Sequence, residues 1–335
     1  MDNPLISIII TTYNSERYIE SCIKSIIDQR YTLKSLFEII VIDNSSTDST
    51  VNIIRNNFPQ VLLIDNDKNP GYGSANNLGV SLAKGEYLII INPDTVVEEG
   101  WLEGLVMPLT NSGKLITTPK ILVYDGTLIN TCGNVIHTTG LAFTRGYNSL
   151  PNTFQNPEYI NGISGCCFAI KKNDFLNLGG FDESIFLYYE DVDLSFRAHL
   201  SGFKILYVPN SRIKHDYTLK VSPEKIYYLE KGRYRALKKY FSANDILLLM
   251  PSLLVAEILT FGYALRVGSN GIRYKLKAVI YGLTVKVEQM EGNRYNLIKS
   301  LSYTIPAEQL TSNFIEKYIK IIANMVFKLN ARLFN

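Results

Sequence analysis

LISIIITTYN, residues 5–14, begins as an apolar β-branched run and ends in polar residues. Such a run is typical of a buried strand. Apolar residues then recur with helical spacing, at Tyr18, Ile19, Cys22, Ile23 and Ile26. The start of the chain therefore predicts a strand that ends at a polar edge and is followed by a helix.

Strand–helix alternation continues downstream of this unit. Further buried strands are predicted at FEIIVI (37–42), VLLI (61–64) and YLIII (87–91), with helices near 48–57 and 74–83. Alternation at intervals of about 30 residues favours an α/β fold with a doubly wound, mostly parallel sheet. Because ligands bind such sheets beyond the carboxyl ends of the strands, the polar sets TTYN, DNSS and NPD are expected to converge on one crevice.

The composition excludes several classes of protein. The 335 residues are 46% hydrophobic and 19% charged, with a mean hydropathy of +0.04, which is too apolar for a disordered chain. The four cysteines contain no CxxC pair, so neither a disulfide framework nor a cysteine-based zinc site is expected. The segment MDNPLISIII has no basic region before its apolar run and predicts a first strand rather than a signal peptide.

The last third of the chain differs from the rest in charge and hydropathy. Residues 1–200 carry a net charge of −9, and residues 201–335 carry +12. The segment 246–265, ILLLMPSLLVAEILTFGYAL, is apolar apart from one glutamate, and basic amphipathic segments follow it. In the last of these, one helical face is shared by Ile315, Tyr318, Ile319, Ile322, Val326 and Leu329. We therefore divide the chain into a domain at 1–240 and a helical, basic amphipathic region at 241–335.

The polar residues at the strand ends offer groups that suit a nucleotide. Thr11, Tyr13, Asp43 and Asn44 supply a hydroxyl, a ring, a carboxylate and an amide, which together can stack on a base and bond to its edge and to a ribose. The alternative is that residues such as Asn14 only cap helices.

Acidic residues and one histidine are candidates for chemistry. Asp94 follows a buried strand and can hold Mg²⁺ or Mn²⁺ against a diphosphate, although a turn aspartate after proline is common. His215 taken alone is more simply structural. The acidic run EDVD (190–193) begins a predicted helix and either supplies a base or only complements the helix dipole. Asp193 and Arg197 predict an ion pair one helical turn apart.

Two further segments carry expectations about local structure. FKILYV (203–208) predicts a strand, with a loop starting at Pro209-Asn210. GYGSANNLG (71–79) fails the dinucleotide fingerprint, but Gly71 and Gly73 allow the backbone to approach a ligand closely.

In their order along the chain, these motifs resemble the family 2 glycosyltransferases of the inverting GT-A class. The resemblance covers about residues 4–216, and its branch includes rhamnosyl- and galactofuranosyltransferases. It is carried by SIIITTYNSERYIESCIKSI, EIIVIDNSSTDST, NPGYGSANNLG, YLIIINPDTVVEEGWL, SGCCFAIKK, GGFDESIFLYYEDVDLSFRAHLSGFKILYVP and KHD. The resemblance implies a GT-A fold with a C-terminal helical extension.

The resemblance also implies a role for each motif. The implied donor-binding residues are Thr11, Tyr13, Asn14, Asp43, Asn44, Ser45, Gly73, Asn76, Asn77 and Asn92. NPD matches the Asp-x-Asp metal motif of the family with Asn92 in place of the first aspartate, so Asp94 and His215 are the implied ligands of Mg²⁺ or Mn²⁺. Asp191 matches the catalytic base, and Glu190 is its close competitor.

The implied reaction is an inverting single displacement on a nucleoside-diphosphate sugar. The donor would be UDP- or dTDP-linked, with rhamnose as one candidate, and the acceptor would be a glycan or a polyprenyl-linked sugar in the synthesis of cell-surface polysaccharide or glycoconjugate. A nucleotidyltransferase, a glycoside hydrolase and a non-catalytic sugar-nucleotide-binding scaffold stay open as alternatives. Nucleic acid is not an expected partner, because the aromatic residues of the basic half lie in apolar runs.

The apolar segment raises the question of a membrane. Residues 246–265 are long enough to span one, but Glu257 would cost about 2.5–3.5 kcal/mol near its centre, and Pro251 is expected to break the helix. A single span would also place the basic tail opposite the cytosolic sugar nucleotides. We therefore expect a helix pair or re-entrant hairpin lying in the cytoplasmic leaflet of the cell membrane, with the basic amphipathic helices on anionic head groups, in a peripheral cytoplasmic protein. A soluble helical subdomain or a homodimer interface is the alternative.

Overall fold

The computed structural model describes residues 5–29, 37–217, 222–311 and 313–333. The strands are β1 Ile6–Thr12, β2 Phe37–Asp43, β3 Leu62–Asp65, β4 Tyr87–Ile91, β5 Thr95–Val97, β6 Leu115–Val123, β7 Ile129–Thr131, β8 Asn134–Ile136, β9 Ala142–Thr144, β10 Glu158–Ile160, β11 Cys167–Lys171 and β12 Lys204–His215. The helices are α1 Ile19–Ile27, α2 Thr50–Asn57, α3 Tyr72–Leu82, α4 Trp101–Thr110, α5 Lys172–Asn177, α6 Glu190–Leu200, α7 Pro223–Tyr240, α8 Ala243–Val267, α9 Ser269–Thr284, α10 Arg294–Ser300 and α11 Phe314–Ala331.

The central sheet has the strand order β10-β12-β6-β11-β4-β1-β2-β3. Its half from β3 to β4 is parallel, and β11 lies antiparallel between β4 and β6. Because β1 is apolar on both faces, Ile8 packs in the core beneath α1 and α4, whereas Ile9 packs in the core beneath α3 and α6. The predicted doubly wound α/β sheet is confirmed, but it is mixed rather than mostly parallel, because β5, β7, β10 and β11 pair antiparallel with their neighbours.

The carboxyl end of β12 differs from the sequence prediction. A loop starting at Pro209-Asn210 was expected, and this is wrong, because β12 continues to His215. Pairing with β6 shifts register between Val208 and Arg212, and this bulge accommodates a proline that cannot donate to the ladder. The continued strand pairs His215 with Thr95 of β5 and so carries the histidine to the edge where β4 ends.

The expected break at Pro251 is also wrong. Helix α8 runs through this proline as a single element. Leu249, Ser252 and Ala256 are buried on both sides of it, and Ser242 and Asp245 form a reciprocal cap at the helix start. Packing and capping together offset the lost backbone hydrogen bond.

Helix α7 joins the two regions into which the sequence was divided. Its Arg233 bonds to Glu257 of α8, while its Tyr240 stacks on Phe196 of α6 with 4.8 Å between ring centroids. The proposed division at residue 240 therefore does not coincide with a break in packing. The C-terminal helices lie directly against the α/β body.

Candidate active site

A cavity of about 350 Å³ opens where β4, β12 and the start of α6 meet. Its walls include Asn92, Glu190, Asp191 and His215, which come from three separate motifs of the sequence. The topology explains this meeting, because β4 and β12 both end at this edge and α6 begins there. The structure therefore brings the predicted base and one predicted metal ligand into the same space.

Asp94 and His215 present unpaired atoms to each other beside this cavity. Asp94 Oδ1 lies 3.2 Å from His215 Nε2, and neither atom forms a hydrogen bond within the described ranges. Asn130 Oδ1, which can only accept, lies 3.3 Å from His215 Nδ1, and a proton donated from Nδ1 to it would leave Nε2 a lone pair for a metal. This is the tautomer that a metal-binding histidine needs.

A third unpaired atom, an amide oxygen, belongs to Asn92. Its Oδ1 is buried and has no hydrogen-bond partner in the described part of the chain. Unpaired buried polar atoms are rare, so three of them, on the two predicted metal ligands and on the predicted donor-binding residue Asn92, indicate a place for a polar ligand. The residues fit a divalent cation, which takes oxygen and imidazole ligands. Since no group of three His, Cys, Asp or Glu side chains surrounds any point among the described residues, phosphate and water oxygens would complete the coordination.

The Asp191 carboxylate is held in a fixed orientation. Its Oδ2 accepts hydrogen bonds from the backbone N–H of Gly165 at 2.9 Å and from Asn134 Nδ2 at 3.0 Å. Its Oδ1 accepts from the backbone N–H of Val192 at 2.8 Å. These bonds favour the ionised carboxylate, although burial raises its pKa.

Glu190 has the opposite environment. It is 8% exposed, and its Oε2 has no hydrogen-bond partner among the residues described. Burial, together with the nearby charge of Asp191, raises the pKa of Glu190 to about 8. The two carboxyl groups therefore share one proton near neutral pH, and Glu190 holds it, because Asp191 has the hydrogen bonds that stabilise a charge.

The segment before these acids has strained backbone. Tyr188 and Tyr189 both adopt positive φ, 61° and 76°, which is uncommon for bulky residues. The buried Tyr189 hydroxyl donates to the Gly140 carbonyl at 2.5 Å, and its ring fills the space that Gly232 of α7 leaves open. These contacts fix the direction in which α6 starts and so aim its acids at the cavity.

Polar residues at the ends of β1 and β2 bond mainly to one another. The fully buried Asp43 carboxylate accepts hydrogen bonds from Thr12 Oγ1 and from the backbone N–H and the hydroxyl of Ser46, at 2.6–2.7 Å. Asn14 Oδ1 accepts from the Thr47 backbone N–H at 2.9 Å. Asp43 and Asn14 therefore hold the turns together, and their contact with a nucleoside stays a prediction.

Other residues predicted to contact the nucleoside make fewer hydrogen bonds within the protein. Tyr13 is 53% exposed, and Thr11 Oγ1 is buried without a hydrogen-bond partner in the structure as described. Ser45 occupies the turn with φ 63°, whereas Asn44 donates to the Gly71 carbonyl at 3.4 Å. Tyr13 thus leaves an exposed ring for a base, whereas Thr11 keeps a buried hydroxyl without a partner among the described residues.

Three predicted donor residues on α3 lie outside the lining of this cavity, and their contact with a donor stays a prediction. Asn77 exchanges hydrogen bonds with the backbone of Phe181, and a Cβ on Gly73 would lie 3.0 Å from Phe181 Cβ. Asn76 donates to the Tyr72 carbonyl of its own helix. The close approach expected at Gly73 is therefore to the protein itself, because this motif packs α3 against the segment that leads to the acids.

Several residues of the cavity were missed by the sequence analysis. Tyr72 lines it and donates its hydroxyl proton to the Gly165 carbonyl at 2.7 Å. Lys225 of α7 and Gln309 of the C-terminal region also line the cavity. Tyr72 lay inside a quoted motif whose glycines were weighed instead, whereas Lys225 and Gln309 follow the last motif and carry no local signal.

Residues 7–178, just over half of the chain, match the sequence model of the family described as Glycosyl transferase family 2. The chain belongs to glycosyltransferase family 2. The resemblance found in the motifs is thereby confirmed, and so is the GT-A fold.

Relatives of this family 2 chain include two named transferases. It is 26% identical over 208 residues to the low-salt glycan biosynthesis hexosyltransferase Agl10 of Haloferax volcanii, covering 60% of this chain and 63% of that protein. It is 26% identical over 239 residues to the N-acetylglucosaminyl-diphospho-decaprenol L-rhamnosyltransferase of Mycobacterium tuberculosis, covering 63% of this chain and 76% of that protein. The chain thus spans less than two thirds of the first relative.

The fold is also similar to a solved structure, GalNAc-T7 with UDP, GalNAc and Mn²⁺. The TM-score is 0.60 at 20% identity, over 83% of this chain and 55% of that one. At this identity the likeness concerns the fold alone.

Proposed function

We propose that this family 2 chain is an inverting glycosyltransferase. It would move a sugar from a UDP- or dTDP-linked donor to a hydroxyl of a glycan or lipid-linked acceptor, in the synthesis of cell-surface polysaccharide or glycoconjugate. The observation that carries the proposal is that Asp191 and His215 line the same cavity, with Asp94 beside the histidine. The relatives named as hexosyl- and rhamnosyltransferases, and the UDP and Mn²⁺ named for GalNAc-T7, support it.

The proposed mechanism is a single displacement with Asp191 as the base. The acceptor oxygen attacks the anomeric carbon while its proton passes to Asp191, and the bond to the diphosphate oxygen breaks with its electron pair on that oxygen. Gly165 and Asn134 hold the accepting carboxylate in place throughout. A divalent cation held by Asp94 and His215 would balance the negative charge of the departing diphosphate.

A panel of sugar nucleotides tests this function. UDP-, dTDP- and GDP-linked sugars are each mixed with the full chain and Mn²⁺, and thermal unfolding and donor hydrolysis are measured. We expect one nucleotide class to raise the unfolding temperature only with Mn²⁺ and to be hydrolysed slowly. No stabilisation by any donor would contradict the proposal, and stabilisation without turnover, with acceptors also supplied, would favour the non-catalytic scaffold.

We also propose that α8 and α11 rest on an anionic membrane surface at the inner face of the cell membrane. Among the helices that the structure describes, α8 is the one long and apolar enough to cross a membrane. Its Glu257, however, faces the protein, where Arg233 and Lys275 neutralise it. This pairing supports a helix that lies along the surface.

Exposed apolar stripes on both helices support this placement. On α8 and α11 they comprise Leu247, Leu254, Ile258, Leu265, Ile315, Ile319, Ile322 and Leu329, each at least 41% exposed. Ser252 bonds to Asn330 and Arg266 pairs with Glu316, so the two helices are joined at both ends. Exposed cations such as Lys317 and Lys328 lie beside the α11 stripe and complement anionic head groups. A polyprenyl-linked acceptor would then lie in the same membrane.

A further inference from the structure

Lys225, near the start of α7, is a cation buried in the wall of the candidate cavity. The residue is 7% exposed and lines the cavity together with Asp191 and His215. Its Nζ donates a hydrogen bond to the Tyr217 hydroxyl. The same atom lies 4.7 Å from the ring centroid of Tyr217 and 5.0 Å from that of Tyr188. Two aromatic rings therefore hold the ammonium group in place.

This ammonium group forms no ion pair within the part of the chain that the structure describes. Of the carboxylates that the structure describes, none forms an ion pair with Lys225, and burial is the only cause that lowers its pKa. Tyrosine rings and a neutral hydroxyl solvate the cation in part but do not cancel its charge. Because a buried charge is costly without an opposite one, an anion that enters the cavity would be stabilised beside Lys225.

The position of Lys225 indicates which anion this is. The Tyr217 ring stacks on the His215 ring, with centroids 5.2 Å apart and planes 5° apart. Lys225 therefore lies one ring away from the unpaired atoms of His215 and Asp94. A diphosphate, with two charged groups in a row, can contact both ends of this arrangement.

We propose that Lys225 binds the diphosphate of the donor, as a second positive group beside the Asp94–His215 pair. This rests on the proposed function and extends the site to α7, outside the residues that match the family. When the glycosidic bond breaks, its electron pair moves to the diphosphate oxygen and raises the negative charge there by one unit. Lys225 is placed to stabilise that charge as it develops.

Calorimetric titration of the full chain with UDP, dTDP and GDP in Mn²⁺ tests the proposal. The variants are Lys225→Met, Lys225→Arg and the control Lys231→Met, whose lysine lies on the same helix over the Tyr281 ring but does not line the cavity. We expect Lys225→Met to weaken binding by roughly 10- to 100-fold, the scale of a charged hydrogen bond, and Lys225→Arg to restore part of it. The control should bind as the parent chain does.

The outcomes separate this proposal from the function on which it rests. Parent-like binding by Lys225→Met would overturn the role of Lys225 and leave the proposed function standing. No binding of any nucleoside diphosphate by the parent chain would contradict the function itself, and the role of Lys225 with it.

A second measurement needs no variant. Acetylation of lysines in the parent chain, followed by mass spectrometry, should show Lys225 protected by the bound nucleoside diphosphate and Lys231 unaffected. Equal labelling of Lys225 with and without the diphosphate would contradict the proposal even if Lys225→Met failed to fold.

Discussion

At the scale of single residues, Glu190 and Asp191 are neighbours in sequence with different surroundings. The Asp191 carboxylate accepts three hydrogen bonds. Glu190 is buried next to the charge of Asp191, and its Oε2 has no hydrogen-bond partner among the described residues. The surroundings of Asp191 favour an ionised carboxylate that can act as a base, whereas those of Glu190 favour a protonated carboxyl group. The pair therefore gives a pH dependence that can be measured.

Glu190 should make stability fall as the pH rises. Its pKa is about 8 in the folded chain and 4.5 ordinarily, so its contribution is complete below pH 4.5 and is lost as the pH approaches 8. The glutamine of Glu190→Gln carries no titrating proton. We therefore expect the free energy of unfolding of this variant to rise relative to that of the parent chain over this range, by on the order of a few kcal/mol. Urea denaturation at several pH values measures this, and parallel pH profiles would contradict it.

Single residues of the site were predictable where a motif fixes their position. The resemblance of their motifs to the family predicted roles for Asp94, His215 and Asp191, and the structure places His215 and Asp191 in the wall of one cavity with Asp94 beside the histidine. Asn77 and Asp43 were not separable in this way, because amides and carboxylates near strand ends also bond to backbone, and only coordinates show which partner they have. Packing, rather than residue type, decides between the two roles.

At the scale of elements, α7 supports the start of α6. A Cβ on Gly232 would lie 2.4 Å from Tyr189 Cγ, although alanine is the better helix former. Gly232→Ala should therefore lower stability by about 1–3 kcal/mol through overpacking and should reduce turnover by displacing the acids.

Gly262 provides the matched control for this prediction. It is also a helical glycine, on α8, and a Cβ there would meet nothing within 4 Å. Gly262→Ala should be neutral or stabilising by up to about 1 kcal/mol. Equal thermal unfolding temperatures for the two variants would show that α7 does not constrain Tyr189.

Most elements were predictable because strand and helix periodicities are strong. The buried residues of α1 include the predicted Ile19, Cys22, Ile23 and Ile26. The errors fall at prolines. At Pro209 a bulge lets β12 continue, and at Pro251 tertiary packing holds α8 together. Both depend on neighbours distant in sequence, which a local pattern does not contain.

At the scale of the whole molecule, the cavity wall extends beyond the motifs of the family. Lys225 and Leu229 of α7 line it, and so does Gln309 from the region after residue 240 that the sequence predicted to be separate. The apolar stripe predicted on α11 is real, but it faces outward. Ala323 and Phe327 make the buried contacts instead. A sequence pattern predicts which residues share the apolar face of a helix, but not whether that face packs against the protein or points to its surroundings.

The outward stripes predict binding to anionic vesicles. The parent chain should sediment with phosphatidylcholine–phosphatidylglycerol vesicles at low salt, and the variant Ile258→Glu/Ile319→Glu should not. The control Met107→Glu/Leu176→Glu adds the same charge at exposed apolar positions of the α/β body and should still bind. Failure of the parent chain to sediment would contradict the membrane proposal, and a dimer lost in the stripe variant would assign the surface to a second copy.

The central claim is that one cavity holds a base and a cation site for the same donor. The most direct test compares Mn²⁺-dependent binding and turnover of the nucleotide sugar in Asp191→Asn and Asp94→Ala. Asp191→Asn should keep donor binding and lose turnover by ~10²–10⁴-fold, the scale of a positioned base, whereas Asp94→Ala should lose the Mn²⁺-dependent part of binding. Near-normal turnover in Asp191→Asn, or an unchanged Mn²⁺ titration in Asp94→Ala, would contradict the account.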